Sequence, residues 1–385
     1  MTGRDRTAVS VSFLAFGVTV GGLIPRVPAL KDQLHLTDGQ VGLALLGLSL
    51  GGVTGALASR LVIHRGARLF IRAGTIGLCI AIVGPALAAN LIELMASLFL
   101  IGFLWGFIDV LENALGAQLE RSAGKPLING FHGFWSLGAF VGSLVAGGAA
   151  YSGIAPLAQF IGTGLVVAVG SAWFLRRLPD LAAIEAMPGV APGRLVLTAA
   201  VLGLVAMGFA AVIAEGGTSD WSALYLREIS HASPGVAAAG FSGFSIAAML
   251  VRFRADLVTA RLGQAAVARV GAVIAVAGLA VAIAFPWLPV AVAGFTIVGM
   301  GTAVVVPLVF AAGANLGRTG TSLALVMAAT YCGTIAGPPL IGTAADHVGL
   351  RFAMAIPLAG AVAVVLLAGN AAIRPAATGL RPVRR

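Results

Sequence analysis

Long apolar runs, broken by short turn and charge signals, recur twelve times along the chain. A helix rises about 1.5 Å per residue and crosses the hydrocarbon core of a bilayer with ~20 apolar residues. The runs have that reach. They predict helices over about 8–26, 39–61, 69–89, 91–119, 129–151 and 155–176 in the first half. In the second half they predict about 195–217, 235–254, 265–286, 288–314, 320–343 and 350–373. The fold class expected is an all-α membrane protein of twelve transmembrane helices in two six-helix bundles. Residues 1–176 form one bundle and 195–373 the other. A linker, 177–194, carries Pro179, Pro188 and Pro192, and a basic tail covers 374–385.

Composition agrees. Of 385 residues 59% are hydrophobic and 10% charged, against about 25% charged in a soluble protein. The spans consume the length, so no sizeable soluble domain fits. A net charge of +10 would suggest nucleic acid in a soluble chain. Here the basic residues sit in short loops. With both termini cytoplasmic, the outer segments hold only Arg26, Lys31, Arg227 and Arg351, and the other 20 of the 24 Lys and Arg are inside. That is the positive-inside bias of a multi-pass inner-membrane protein, contacting lipid and no nucleic acid. The run Val9 to Ile24 lacks a convincing small-x-small cleavage site and is expected to stay as the first span.

Several chemistries drop out. Cys79 and Cys332 lie in predicted spans and read as small apolar residues. His35, His64, His132, His231 and His347 are scattered, without His-Glu-x-x-His spacing, and no Gly-x-x-x-x-Gly-Lys loop occurs. An intramembrane enzyme, a cofactor and ATP drive are therefore not expected.

Acids stand out in the fourth run. Asp109, Glu112 and Asn113 interrupt 91–119 near its centre, where a charged side chain costs about 2.5–3.5 kcal/mol on insertion scales. Such residues mark ion, proton or substrate paths. Trp105, Asp109, Glu112 and Asn113 follow i, i+4, i+7, i+8 and share one helix face. Asp109 is the expected proton carrier, with Glu112 sharing or relaying the proton. The alternative is a pair that serves only structure. Asn129, His132 and Ser136 share a face of the fifth span, with Trp135 beside it. Trp105 and Trp135 suit stacking on a ring or packing in the core. Tyr331 and Thr334 are the second-half groups suited to a hydroxylated substrate. Glu215 closes the predicted seventh span near the outer face, as part of an outer gate or as a cap. Tyr151, Trp221, Tyr225 and Trp287 read as interfacial anchors.

The halves repeat each other. Ser59–Gly66 aligns with Asp256–Gly263, and Gly138, Gly142 and Gly147 align with Gly333, Gly337 and Gly342 at nearly the same offset. Two six-span halves in parallel repeat resemble the major facilitator superfamily. The loop Gly55–Arg68 resembles its signature Gly-x-x-x-Asp-Arg loop, with Ser59 in place of the acid; the second copy keeps Asp256. The resemblance implies a latch between bundles in which a helix-end carboxylate meets Arg, with Asp256 and Arg261 the better pair and Arg60 the first-half member. The blocks Asp109–Gly142 and Glu215–Arg227 are similar to the fucose-permease-like branch of uncharacterised bacterial inner-membrane transporters. In that branch acids of the first and fourth spans serve substrate binding and proton coupling. Here Asp109 or Glu112 matches the fourth-span acid, whereas Val9 to Ile24 contains none.

The function expected is a secondary transporter, by default monomeric, moving a small-molecule substrate by alternating access with protons. Polar groups around Trp105, Asn113 and Asn129 favour symport of a polar metabolite or sugar. The missing first-span acid favours proton-antiport efflux of drugs or metabolites. A transporter-like sensor without flux is the third class.

Overall fold

The computed structural model describes residues 3–179, 197–316 and 321–372. Among them are twelve helices long and apolar enough to cross a membrane. We number them α1 (Gly3–Leu34), α2 (Asp38–Ser59), α3 (Ala67–Leu87), α4 (Leu91–Ala123), α5 (Ile128–Tyr151) and α6 (Pro156–Leu175). The second set is α7 (Ala199–Glu228), α8 (Pro234–Arg252), α9 (Gln264–Ala284), α10 (Leu288–Asn315), α11 (Thr321–Val348) and α12 (Leu350–Ala371). Local signals set their ends. Thr37 closes a capping box with Gln40 at the start of α2, Asn90 caps α4, and Gly124 ends α4 in the left-handed conformation. Most of the linker and the basic tail expected from sequence lie outside the described residues.

The packing has the expected pseudo-symmetry. In the first half α2 packs on α4, α1 on α5 and α6, and α3 on α4 and α6. Adding six to each number gives the second-half pairs: α8 on α10, α7 on α11 and α12, and α9 on α10 and α12. The halves meet along two edges, α2 with α11 and α5 with α8, which the same operation interchanges. The repeated glycines serve equivalent approaches. A Cβ on Gly138 would lie 2.9 Å from the Val18 nitrogen of α1, and one on Gly333 would lie 2.8 Å from the Phe209 oxygen of α7. A Cβ on Gly147 would crowd α8 (Gly235 O, 3.0 Å), and one on Gly342 would crowd α2 (Asp38 O, 2.5 Å). Small residues here let backbones touch where lipid supplies no hydrophobic drive between helices.

We use "basic face" for the side carrying Arg60, Arg65, Arg121 and Arg261, and "opposite face" for the other. The α2–α11 edge closes on the opposite face, where Asp346 accepts from the Gly39 amide (3.0 Å) and the Thr37 hydroxyl (3.0 Å). There Lys31 also bridges Asp38 of its own half and Glu228 of the other.

One span differs from expectation. The seventh was predicted to end near 217, but α7 runs to Glu228. The run Glu215-Gly-Gly-Thr-Ser-Asp220 looks like a loop because helix breakers and polar residues cluster there. Packing overrides that propensity: Gly217, Thr218 and the stretch Trp221–Leu226 are buried. Trp221 and Tyr225 are therefore core residues, not interfacial anchors, and both are fully buried. Tyr151 and Trp287 are 80% and 71% exposed, as anchors should be. The Tyr225 hydroxyl donates to Ala282 O at 2.7 Å, with its ring edge-on to Phe295. A buried hydrogen bond contributes about 1 kcal/mol net. We expect Tyr225→Phe to lower the melting temperature in detergent by roughly 1–3 °C, with transport unchanged, as read by a thermal scan and a flux assay.

Candidate functional site

At the middle of the molecule a chain of polar side chains crosses from one half to the other. It begins on α4. Asn113 Nδ2 donates to the Asp109 carboxylate (3.0 Å) and to the Asp109 backbone oxygen (2.9 Å). The Asn113 amide N–H is thus spent, and its oxygen faces His132 Nε2 of α5 at 3.1 Å, so His132 donates. One turn on, the Ser136 hydroxyl donates to the His132 backbone oxygen (3.1 Å) and accepts from Arg252 Nη1 of α8 (2.6 Å). Arg252 continues the chain: Nη2 donates to Glu215 of α7 (3.0 Å), and Nε to Ala303 O (3.1 Å). Its guanidinium lies 5.5 Å from the Trp135 ring centre, within cation–π range. Five helices from both halves share this network, α4 and α5 of the first and α7, α8 and α10 of the second.

An aromatic wall backs it. Phe16 of α1 stands edge-on to Trp105 (5.9 Å) and Trp135 (6.3 Å), and Phe13 edge-on to His132 (5.3 Å). The Trp105 indole N–H is buried without a partner.

The two acids of α4 part company. Glu112 is fully buried and accepts from the Ser12 hydroxyl of α1, and its second oxygen is buried without a partner. Asp109 and Asn113 are half-buried and turn toward α5. One stripe of α4 therefore splits between the α1 contact and the network. No acid is needed in the first span to touch the fourth-span carboxyl, because Ser12 does so.

The remaining predicted residues fall as follows. Tyr331 is half-buried on α11, within electrostatic reach of Asp109 and Arg60. The Thr334 hydroxyl donates to Thr330 O within its own helix (3.1 Å). Asn129 is not part of the central network: its amide donates to Asp256 at 2.5 Å. That bond joins α5 to the short helix Ala255–Leu262 on the basic face. Asp256 thus joins the halves through Asn129, where the resemblance implies an arginine. Arg261 and Arg60 are exposed, and among the described residues neither forms an ion pair. Glu215 does not close its span near the outer face; it lies in the interior of α7, paired with Arg252.

Sequence reading missed Ser12 and Arg252. Nothing distinguishes Ser12 from its neighbours Ser10 and Thr19. Arg252 is the last residue of α8 and counts as an ordinary loop cation until α7 is extended past 217. Then Glu215 becomes a mid-span acid needing a counter-charge, and Arg252 ends the adjacent span.

Two pseudo-symmetric six-helix bundles around a polar centre that both halves build are the architecture of a membrane transporter. The chain belongs to the Major Facilitator Superfamily, whose family model matches residues 9–322. Among its relatives is an uncharacterised transporter, y4wD, of Sinorhizobium fredii (strain NBRC 101917 / NGR234), 33% identical over 371 residues covering 94% of this chain and 96% of that protein. The fold is also that of a single-residue variant of the nucleoside transporter NupG, with TM-score 0.73 at 13% identity over 94% of this chain and 98% of that one. A variant of the E. coli fucose:proton symporter FucP superposes with TM-score 0.66 at 16% identity over 95% of this chain and 98% of that one.

Proposed function

We propose that the protein takes up a small polar metabolite by proton symport, the two bundles alternating access to the central network. The observation that carries this reading is the Asp109–Asn113–His132 chain: a half-buried carboxyl within a membrane-spanning helix, hydrogen-bonded to neutral partners and, among the described residues, without a cationic one. A carboxylate with a fixed cation beside it holds its charge. One held by amide and imidazole groups changes charge when a proton arrives or leaves. Glu112 reports the same event to α1, because gaining or losing a proton alters the charge on the Ser12 contact. The polar wall formed by Asp109, Asn113, His132 and Trp135 suits a hydroxyl- or amine-bearing solute better than a lipophilic one, which favours uptake over drug efflux. The charge bias supports a reading in which the basic face and both termini lie on the cytoplasmic side of a bacterial inner membrane.

The test is flux. Purified protein in liposomes should accumulate substrate when the outside is made acidic, and proton entry should follow substrate addition. A prior thermal-shift screen of sugars, polyols, small acids and amines against lipophilic cations would supply the substrate. Stabilisation by lipophilic compounds alone, or accumulation indifferent to the pH gradient, would overturn the reading.

A further inference from the structure

The Arg252–Glu215 pair is out of place as a stabilising device. A buried ion pair roughly breaks even against its own desolvation, and apolar replacements often do as well. This pair joins the last residue of α8 to the interior of α7 at the junction of the halves, with side chains 10% and 21% exposed.

Its hydrogen bonding is incomplete in a specific way. A guanidinium has five N–H groups. Arg252 uses one on each nitrogen, to Ala303, Ser136 and Glu215. One N–H is left on each terminal nitrogen, and that number matches the two oxygens of a carboxylate. Glu215 accepts through Oε1 alone, so Oε2 is available to a donor. On α7 the half-buried positions 212, 215, 216, 219 and 220 recur at i, i+3, i+4, i+7, i+8, one face of the helix. Asp220 shares that face, lies within electrostatic reach of Glu215, and is bonded to Ser219.

We infer that Arg252 and Glu215 are the recognition pair for a zwitterionic metabolite, one carrying a carboxylate and an ammonium a few ångströms apart. This rests on the uptake reading above and names its substrate class. The reason is charge compensation. Separating a buried pair leaves a charge uncompensated, which is strongly unfavourable. A simple anion that captures Arg252 strands Glu215, and a simple cation that captures Glu215 strands Arg252. A neutral polyol leaves the pair closed and gains nothing from it. A zwitterion set head-to-tail between them compensates both: its carboxylate takes the free N–H groups of Arg252, and its ammonium takes Glu215 and faces Asp220. The Trp135 ring beside the guanidinium supplies an apolar wall. Because Arg252 also bonds Ser136 of the other half, filling the pair acts on a contact between the bundles.

The experiment is a thermal-shift and calorimetric panel on the full-length protein. Serine, γ-aminobutyrate and carnitine are the zwitterions, lactate the anion, choline and ethanolamine the cations, inositol and fucose the neutral solutes. Stabilisation confined to zwitterions is expected. Arg252→Lys, which keeps the charge but loses the planar fork, should weaken that binding about tenfold or more, while the ligand-free melting temperature falls only by the few degrees that the lost Ala303 and Ser136 hydrogen bonds account for. If Arg252→Lys fails to fold, Glu215→Gln must show the same loss. Lactate, choline or inositol binding wild type and Arg252→Lys equally would overturn the inference yet leave proton-driven uptake standing. Lipophilic compounds alone would overturn both. A panel that leaves the wild type unmoved overturns the zwitterion assignment.

Discussion

Asp109→Asn should abolish proton-driven accumulation in liposomes, lowering it about tenfold or more, while exchange of substrate across the membrane without net proton movement persists. The substitution isolates the proton. Asparagine has the shape of aspartate, and its carbonyl oxygen can accept the Asn113 amide at the same place, so the Asn113–His132 link stays intact. What disappears is the ability to change charge. A residue that merely positioned substrate would lose exchange and accumulation together. Glu112→Gln is the second arm and is less clean. Its carbonyl oxygen keeps the Ser12 contact, but the new amide nitrogen lands where the unpartnered, buried Oε2 now sits. An unsatisfied buried polar group costs about 1–3 kcal/mol, so part of any loss there is stability, and a thermal scan must accompany the flux. Full gradient-driven transport in both variants would end the proton reading.

The asymmetry between these two acids shows where sequence stops. Spacing alone puts Asp109 and Glu112 on one stripe of α4, and apolar surroundings mark both as costly. Which neighbour each meets depends on α1 and α5, and periodicity carries no information about that. The span count, the two halves and their glycine contacts were legible because they repeat: each signal occurs twice, and Gly147 and Gly342 do equivalent work on equivalent helices. Glu215 was misread for the opposite reason. Local propensity at Gly216, Gly217 and Ser219 argues for a loop, and only burial of the stretch beyond reveals a helix. Once α7 was cut short, Arg252 had no mid-span acid to pair with and passed for topological charge. The contact between halves on the basic face was half-legible: the resemblance of the signature loop singled out Asp256, but Asn129, to which it is hydrogen-bonded, lies 127 residues away in sequence.

Gly42→Val should stop transport while leaving the protein folded and able to bind substrate. Gly42 is where α2 and α11 close on the opposite face. A Cβ there would lie 2.6 Å from Pro338 O and 3.2 Å from Gly342 Cα. Both obstacles are backbone and cannot swing aside as a side chain would. Relief comes only by separating α2 from α11, which is the motion that opens that face. The ion pairs of Lys31 with Asp38 and Glu228, part-exposed at 13–31%, cannot hold the face shut against this. Pairs of that exposure contribute about 1 kcal/mol or less, whereas overpacking costs about 1–3 kcal/mol or more. Gly342→Val should act alike, since its Cβ would meet Asp38 O at 2.5 Å. Gly162→Val on α6, with no atom within 4 Å of the added Cβ, is the control and should transport normally. The readouts are flux and thermal-shift binding. Normal flux through Gly42→Val would show that this contact is not remade in each cycle.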